Sequence, residues 1–176
     1  MSAGFRMSEL IQGLLALARA AQTELTREPV DLTALAGEIL QDLRATQPER
    51  KVETVVETGL VARGDRKLLQ VLLSNLLGNA WKYTSHAPQA VIELAAVETE
   101  RGPAFRVRDN GAGFDMAQAQ RLFGVFQRLH KDSEFSGTGI GLATAHRIVT
   151  RHGGEIWAEA QPGRGATFYF TLPDPA

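Results

Sequence analysis

The sequence predicts an α+β fold, a two-layer sandwich in which three helices cover one face of a mixed sheet. Three observations support this fold class. Apolar residues recur every three or four positions in several long segments, which is typical of helices with one buried face. In shorter segments apolar and polar residues alternate, as they do in half-buried strands. Glycine and proline residues stand between these segments, where turns are expected.

The first predicted helix covers residues 5–23 and carries an apolar stripe with helical spacing. The stripe consists of Met7, Leu10, Ile11, Leu14, Leu17, Ala18 and Ala21. No other segment offers a partner of matching length, so we expect this stripe to pack on something outside the chain. A helix folded back onto the main domain is the alternative. Because Pro29 restricts Glu28 to extended geometry, we divide the chain into residues 1–28 and 29–176.

The main domain is predicted to begin with a helix, a strand and a second helix. Asp31 is a suitable N-cap for a helix that runs to about Thr46. Alternation over residues 51–57 predicts a strand. The next helix runs from Asp65 to Tyr83, and one of its faces is formed by Leu68, Leu69, Leu72, Leu73, Leu76 and Leu77.

The second half of the domain is predicted to supply most of the sheet. Two adjoining strands and a closing hairpin are expected over residues 89–97, 104–108, 155–160 and 167–172. Between them, residues 138–152 have the period of a helix. Residues 113–136 combine a short helix with polar residues, and we expect them to form a mobile cover over a site.

Composition excludes several classes of protein. The chain has 176 residues, of which 44% are hydrophobic and 22% are charged, so it is globular rather than disordered. Its 19 basic and 20 acidic residues argue against a nucleic-acid binder, which would need an excess of basic side chains. There is no cysteine and no apolar stretch of about 20 residues that could cross a membrane. We therefore expect a cytoplasmic domain without membrane contact.

Two glycine clusters indicate a nucleotide-binding site. Residues 109–114 read DNGAGF and residues 137–142 read GTGIGL. Glycine lets a ligand approach the backbone, and a glycine cluster that opens a helix directs free N–H groups at an anion. The carboxylate of Asp109 can accept a hydrogen bond from an exocyclic amine such as that of adenine. A dinucleotide fingerprint does not fit, because Leu142 stands where its third small residue should be and no strand directly precedes the cluster.

With the segment NLLGNAWKY at residues 75–83, these clusters resemble the N, G1, F and G2 boxes of the catalytic domain of sensor histidine kinases. The wider relatives of that family are the Hsp90 chaperones, type II topoisomerases and MutL proteins, which share the Bergerat-type ATP-binding fold. The stretch VFQRLH at residues 125–130 is most similar to kinases attached to phytochrome-like photoreceptors. The resemblance extends over residues 5–173.

The resemblance implies a role for each matching residue. Asn79 would be the Mg²⁺ ligand, Asp109 the adenine anchor, and Lys82 a cation near the phosphates. Asn75 occupies the position where hydrolysing relatives carry a glutamate, and an amide cannot act as a base toward water. The other residues implied to bind ATP are Tyr83, Gly111, Gly113, Phe123, Phe126, Arg128, Lys131, Gly137, Thr138, Gly139, Ile140, Gly141, Leu142 and Thr167. For Phe123 and Phe126 a place in the core, and for Thr167 a plain strand position, are the alternatives.

The implied reaction is transfer of the γ-phosphoryl group of Mg·ATP to a histidine, with Asn75 and Lys82 as the catalytic residues. The acceptor is expected on a phosphotransfer hairpin before residue 5, of which the first helix would be the last part. None of His86, His130, His146 and His152 is followed by an acidic residue, as the acceptor is in this family. A response regulator and a homodimer of the full-length protein are the other implied partners. A hydrolysing ATPase and a non-catalytic nucleotide-binding module remain as alternative functions.

Overall fold

The computed structural model describes residues 3–22, 24–130 and 134–174. Lys131, one of the predicted ATP-binding residues, lies outside the described residues. Along the chain the elements are α1 (Ala3–Gln22), β1 (Glu28–Asp31), α2 (Leu32–Thr46), β2 (Val52–Val56), β3 (Val61–Gly64), α3 (Arg66–Tyr83), β4 (Ala90–Thr99), β5 (Gly102–Asp109), a 3₁₀ helix (Met116–Arg121), α4 (Gly141–Arg151), β6 (Ile156–Gln161) and β7 (Gly165–Phe170).

A five-stranded mixed sheet in the order β2-β4-β5-β7-β6 forms one layer of the main domain. Strand β2 is parallel to β4, and the other pairs are antiparallel. The inward side chains of the central strands are buried, among them Ile92, Leu94, Val107, Phe168 and Phe170. Helix α3 packs against β4, β5 and β7, with α2 and α4 on either side of it. The predicted α+β fold with three helices on one face is confirmed.

Helix α3 is positioned by its ends and by its leucines. At its start, Oδ1 of Asp65 accepts hydrogen bonds from the backbone N–H groups of Lys67 and Leu68, at 3.0 and 3.1 Å. At its end, the hydroxyl of Thr84 donates to the carbonyl of Ala80 at 2.7 Å. The predicted leucine face is buried between the sheet and the neighbouring helices: Leu68, Leu69, Leu72, Leu73, Leu76 and Leu77. The polar residues of the same helix therefore emerge on a different side.

The sequence analysis missed a small second sheet. Strand β1 pairs antiparallel with β3, so that Glu28 lies opposite Gly64 and Asp31 opposite Val61. Each strand has only four residues, which is too short for alternation to be recognised, and Pro29 argues against a strand. The segment taken as a junction between two units is thus itself part of the fold.

Helix α4 begins three residues later than predicted. Gly139 has a φ of +74°, a left-handed conformation that cannot continue a helix. The residues before Gly141 therefore form a loop, and the first turn of α4 opens at the end of the second glycine cluster. The first backbone N–H groups of α4 therefore follow directly after this loop.

Helix α1 packs on α4, as in the alternative of a helix folded back onto the main domain. The expectation that its apolar stripe packs on something outside the chain stays a prediction. The contact uses small residues: Ala20 is fully buried, and a Cβ on Gly13 would lie 3.3 Å from Cδ1 of Ile140. Nη1 of Arg151 also donates to the carbonyl of Ala20 at 2.6 Å. Much of the predicted apolar stripe stays exposed, including Met7, Ile11 and Leu14. The assignment of residues 1–28 to a separate phosphotransfer hairpin stays a prediction.

Within the described ranges, no helix is both long and apolar enough to cross a lipid bilayer. The same residues contain no group of three or more His, Cys, Asp or Glu side chains arranged to hold a metal ion.

Candidate functional site

A cavity of about 660 Å³ lies between α3, the N-terminus of α4 and the loop that connects β5 to α4. Strands β5 and β7 contribute the apolar residues Ala166 and Phe168 and the carboxylate of Asp109 to its wall. The cavity brings together most of the residues that the sequence singled out: Asn75, Asn79, Lys82, Tyr83, Asp109, Gly113, Arg128, Gly137, Thr138, Gly139, Ile140, Gly141 and Leu142.

Asp109 is the buried carboxylate of the cavity, with only 6% of its surface exposed. Burial raises its pKa to about 6, and hydrogen bonds from the backbone N–H groups of Gly111 and Ala166 limit the rise. The Gly111 N–H donates to Oδ1 of Asp109 at 2.8 Å. A buried carboxylate is stable only where donors meet it, and a ligand with an N–H group would add one.

The side chain of Asn110 holds this end of β5 in place. Its Oδ1 accepts a hydrogen bond from the backbone N–H of Val91 at 2.8 Å, and its Nδ2 donates to the carbonyl of Gln89 at 2.7 Å. Asn110 thereby extends the pairing between β4 and β5 beyond the last strand residue. The backbone of Asp109 is fixed as a result.

Lys82 and Arg128 supply positive charge to the cavity. Burial and, to a smaller extent, the charge of Arg128 lower the pKa of Lys82 to about 8, although the carboxylate of Glu9 acts in the opposite direction. Nζ of Lys82 lies 4.5 Å from the centroid of the Tyr83 ring. A Cβ on Gly137 would approach this Nζ to 2.9 Å, so a glycine there leaves the ammonium room.

The N-terminus of α4 faces the same cavity through Ile140, Gly141 and Leu142. Ile140 is the N-cap and makes no side-chain hydrogen bond to the helix. The first N–H groups of a helix lack intrahelical acceptors, and together with the helix dipole they favour an anion. With Lys82 and Arg128 nearby, this part of the cavity can hold phosphates.

Asn75 and Asn79 lie one turn apart on the cavity side of α3. Nδ2 of Asn75 donates to the carbonyl of Val71 at 3.0 Å, and its Oδ1 lies where a Cβ on Gly141 would come within 2.7 Å. The amide of Asn75 is therefore held between its own helix and the N-terminus of α4. Neutral amide oxygens are ligands that Mg²⁺ accepts, so the amide of Asn79 has the chemistry to hold a magnesium ion.

Thr167 is a predicted site residue that the structure places elsewhere. Strand neighbours alternate between the two faces of a sheet, and Ala166 and Phe168 line the cavity. Thr167, opposite Arg108 in the register, therefore lies on the outer face. Thr167 therefore does not line the cavity, whereas its neighbour Ala166 does.

Three further residues do not line the cavity. Gly111 is tightly packed, since a Cβ there would lie 2.2 Å from the carbonyl oxygen of Tyr83. Phe123 is half-buried against the core, with its ring centroid 5.6 Å from that of His146. Phe126 is 58% exposed and has a φ of 61°. Its role as an anchor of the cover is not supported, although its N–H donates to the carbonyl of Gly139 at 2.9 Å.

Sequence reasoning also missed several residues that line the cavity. From α1 these are Glu9, Gln12, Gly13 and Ala16, and from the loop they include Leu122, Gln127 and His130. The alternation of β7 could have identified Ala166. No local pattern could have identified the α1 residues, because their position depends on how that helix packs.

Comparisons with known proteins agree with this geometry. Residues 64–176 match the family described as "Histidine kinase-, DNA gyrase B-, and HSP90-like ATPase". The chain is 38% identical to cyanobacterial phytochrome B of Nostoc sp. strain PCC 7120, over 96% of this chain and 23% of the relative. It is 34% identical to the adaptive-response sensory kinase SasA of Thermosynechococcus vestitus, over 95% of this chain and 45% of the relative.

Solved structures give the same result. The crystal structure of full-length ShkA in complex with AMPPNP superposes with a TM-score of 0.74 at 29% identity, covering 92% of this chain and 34% of that one. The mycobacterial sensor histidine kinase MprB superposes with a TM-score of 0.68 at 27% identity, covering 84% of this chain and 97% of that one. The chain spans from about a fifth to just under half of the length of the curated relatives it matches.

Proposed function

Because the chain belongs to the family of histidine kinase-, DNA gyrase B- and HSP90-like ATPases, we propose that it is the ATP-binding catalytic part of a two-component sensor histidine kinase. The observation that carries the proposal is the presence of Asp109, Asn79 and Lys82 in one cavity. These three side chains provide an acceptor for the base, a ligand for a metal ion and a cation for the phosphates.

Binding rests on complementary chemistry along the nucleotide. The carboxylate of Asp109 accepts a hydrogen bond from the exocyclic amine of adenine, which guanine does not offer at that position. Lys82, Arg128 and the N–H groups at the start of α4 offset the charge of the phosphates. Asn79 would hold Mg²⁺, and when bound the ion would neutralise part of the charge that develops on the transferred phosphoryl group.

The identity of Asn75 favours transfer to a protein nucleophile over hydrolysis. An amide cannot take a proton from water at neutral pH, and the amide nitrogen of Asn75 already donates to Val71. In the proposed reaction a histidine nitrogen attacks the γ-phosphorus, the bond to the β–γ bridging oxygen breaks, and ADP leaves. Catalysis then depends on positioning and charge neutralisation.

The acceptor histidine is proposed to lie on a separate helix of the full-length protein. His152 is buried, and its two ring nitrogens are engaged with the backbone of Ile148 and Asp65. His86, His130 and His146 each precede a non-acidic residue. We further propose that this part of the full-length protein lies in the cytoplasm. The full-length protein would form a homodimer and pass the phosphoryl group on to a response regulator.

A labelling experiment tests the proposal. The chain is incubated with ATP labelled at the γ-phosphate, first alone and then with a histidine-bearing phosphotransfer hairpin as a second polypeptide. We expect no label on the chain itself and an acid-labile, base-stable label on the hairpin. Stoichiometric label on one of its own histidines would contradict the assignment of the acceptor.

The two alternative functions give different results in the same assay. A hydrolysing ATPase would release phosphate at a rate on the order of 1 s⁻¹ or more without labelling the hairpin. A non-catalytic module would bind ADP and do neither. Asn75→Glu, which restores the potential base of the hydrolysing relatives, is expected to raise phosphate release above that of the unmodified chain.

A further inference from the structure

A cluster of four rings joins the end of α3 to the last part of the loop that connects β5 to α4. Phe135 is its centre and is only 7% exposed. The ring centroids of Tyr83, His86 and His130 lie 5.0, 5.1 and 5.2 Å from that of Phe135. The Tyr83 and Phe135 rings meet edge to face, a favourable arrangement for an aromatic pair. Neither Phe135 nor His130 has a part in the binding scheme described above.

His130 is held in this cluster from several sides. Its ring lies 5.1 Å from that of Tyr83, and its Nδ1 lies 3.9 Å from a carboxylate oxygen of Glu134. Phe135 is held by a hydrogen bond as well, since Nη2 of Arg128 donates to its carbonyl at 2.6 Å. Only 19% of the His130 side chain is exposed, and it lines the nucleotide cavity.

The position of Tyr83 shows which part of a nucleotide His130 would meet. Nζ of Lys82 lies 4.5 Å from the centroid of the Tyr83 ring. The carbonyl of Tyr83 accepts a hydrogen bond from the N–H of Ala112 at 3.0 Å, in the turn whose Gly111 N–H donates to Asp109. Tyr83 therefore adjoins both the cation proposed for the phosphates and the turn that follows the carboxylate proposed for the base, and a ring packed on Tyr83 and facing the cavity would lie beside the sugar.

We propose that His130 is a nucleotide-binding residue that contacts the sugar, and that Phe135 is the positioning residue that holds its ring against the cavity. This inference rests on the proposed function, because it takes an adenine nucleotide as the ligand. It assigns the anchoring of this loop to Phe135, in place of the exposed Phe126.

The test measures affinities for ADP and for adenosine by calorimetry, with adenosine in competition where its binding is weak. His130→Ala is expected to weaken both ligands by the same factor, about three- to tenfold, the range of one lost ring contact. Equal loss for both ligands excludes the phosphates, and an unchanged affinity for free adenine then identifies the sugar, since adenine lacks it. Phe135→Ala should weaken both ligands similarly, and Phe135→Tyr, which keeps the ring, should restore the affinity.

A double-mutant cycle separates positioning from general stability. If Phe135 acts through His130, the variant with both substitutions binds no more weakly than the weaker single variant. His146→Ala is the matched control, because His146 also packs on a loop phenylalanine but is exposed and lies outside the cavity. We expect this control to bind ADP like the unmodified chain.

Two results would overturn the inference. One is an unchanged affinity of His130→Ala while Asp109→Asn weakens ADP binding, which leaves the proposed function intact. The other is a lower affinity for ADP with an unchanged affinity for adenosine, which would mean that His130 contacts the phosphates. If the unmodified chain binds no adenine nucleotide, the inference and the proposed function fail together.

Discussion

Replacing Asp109 by asparagine should stabilise the empty protein and weaken its binding of ADP. The substitution keeps the shape of the side chain and one oxygen for the Gly111 N–H, which donates to Oδ1 at 2.8 Å. It removes the negative charge that burial makes unfavourable. Opposite effects on stability and affinity are expected of a residue that serves a ligand rather than the fold.

The magnitude follows from the pKa. Burial raises the pKa of Asp109 from 3.8 to about 6, and each pKa unit corresponds to about 1.4 kcal/mol. The ionised carboxylate therefore lowers the free energy of unfolding by up to about 3 kcal/mol above pH 6. Below pH 3.8 both the folded and the unfolded chain are protonated, and the difference vanishes. Because asparagine keeps only one oxygen to accept from the N–H groups of Gly111 and Ala166, part of this gain is lost, and we expect Asp109→Asn to gain about 1 to 3 kcal/mol at pH 8.

Urea denaturation at pH 8 and pH 4 measures the stability, and calorimetry with ADP measures the affinity. Loss of a charged acceptor should weaken ADP binding by about 10- to 150-fold at pH 8 and reduce the preference for adenine over guanine. The affinity of the unmodified chain should also fall as the pH drops below about 6, where the carboxylate becomes protonated. Asp42→Asn, at an exposed position of α2, is the control. A destabilised Asp109→Asn at pH 8, or one that binds ADP normally, would refute the reasoning.

Three other predictions concern the site and the fold. Asn79→Ala should abolish the Mg²⁺ dependence of ADP binding but leave the preference for ADP over GDP unchanged, as titrations with and without Mg²⁺ would show. Gly113→Ala should destabilise the protein in urea by at least about 2 kcal/mol, because its φ is +59° and the new Cβ would lie 2.0 Å from the carbonyl oxygen of Gln161. Gly163→Ala, with a φ of +73° and open space around it, should lose only about half as much. Burial lowers the pKa of His152, so its contribution to stability should be lost as the pH falls below about 6.5, and His152→Gln should flatten that loss.

Much of the fold could be predicted because its signals are local. The leucines of α3 recur with helical spacing, and Asp65 precedes them as an N-cap, so the helix and its start follow from neighbouring residues. The spacing of Asn75 and Asn79 then places both side chains on one side of the helix. Asp109 could be predicted as a site residue because it ends a strand and precedes two glycines. These predictions needed no knowledge of distant contacts.

Sequence reasoning failed for residues whose position depends on distant contacts or on which face of a helix or strand they occupy. Hydrophobicity drew attention to the large residues of α1, whereas the packed face uses Gly13 and Ala20, which allow a close approach to α4. Thr167 was not recognised as an outer-face residue because the alternation that Phe168 and Phe170 set along β7 was not considered. Phe126 has a left-handed backbone and donates a hydrogen bond to the distant Gly139, neither of which a local pattern reveals.

The glycines of the first cluster bear on how this family is recognised from sequence. Both Gly111 and Gly113 are required by the protein's own backbone, since a Cβ would lie 2.2 Å from the carbonyl oxygen of Tyr83 in one case and 2.0 Å from that of Gln161 in the other. A descendant that lost the ability to bind nucleotides would still need both glycines in order to fold. The glycine motif therefore diagnoses the architecture, whereas the carboxylate of Asp109 and the amide of Asn79, which the fold does not require, diagnose an active site that is still in use.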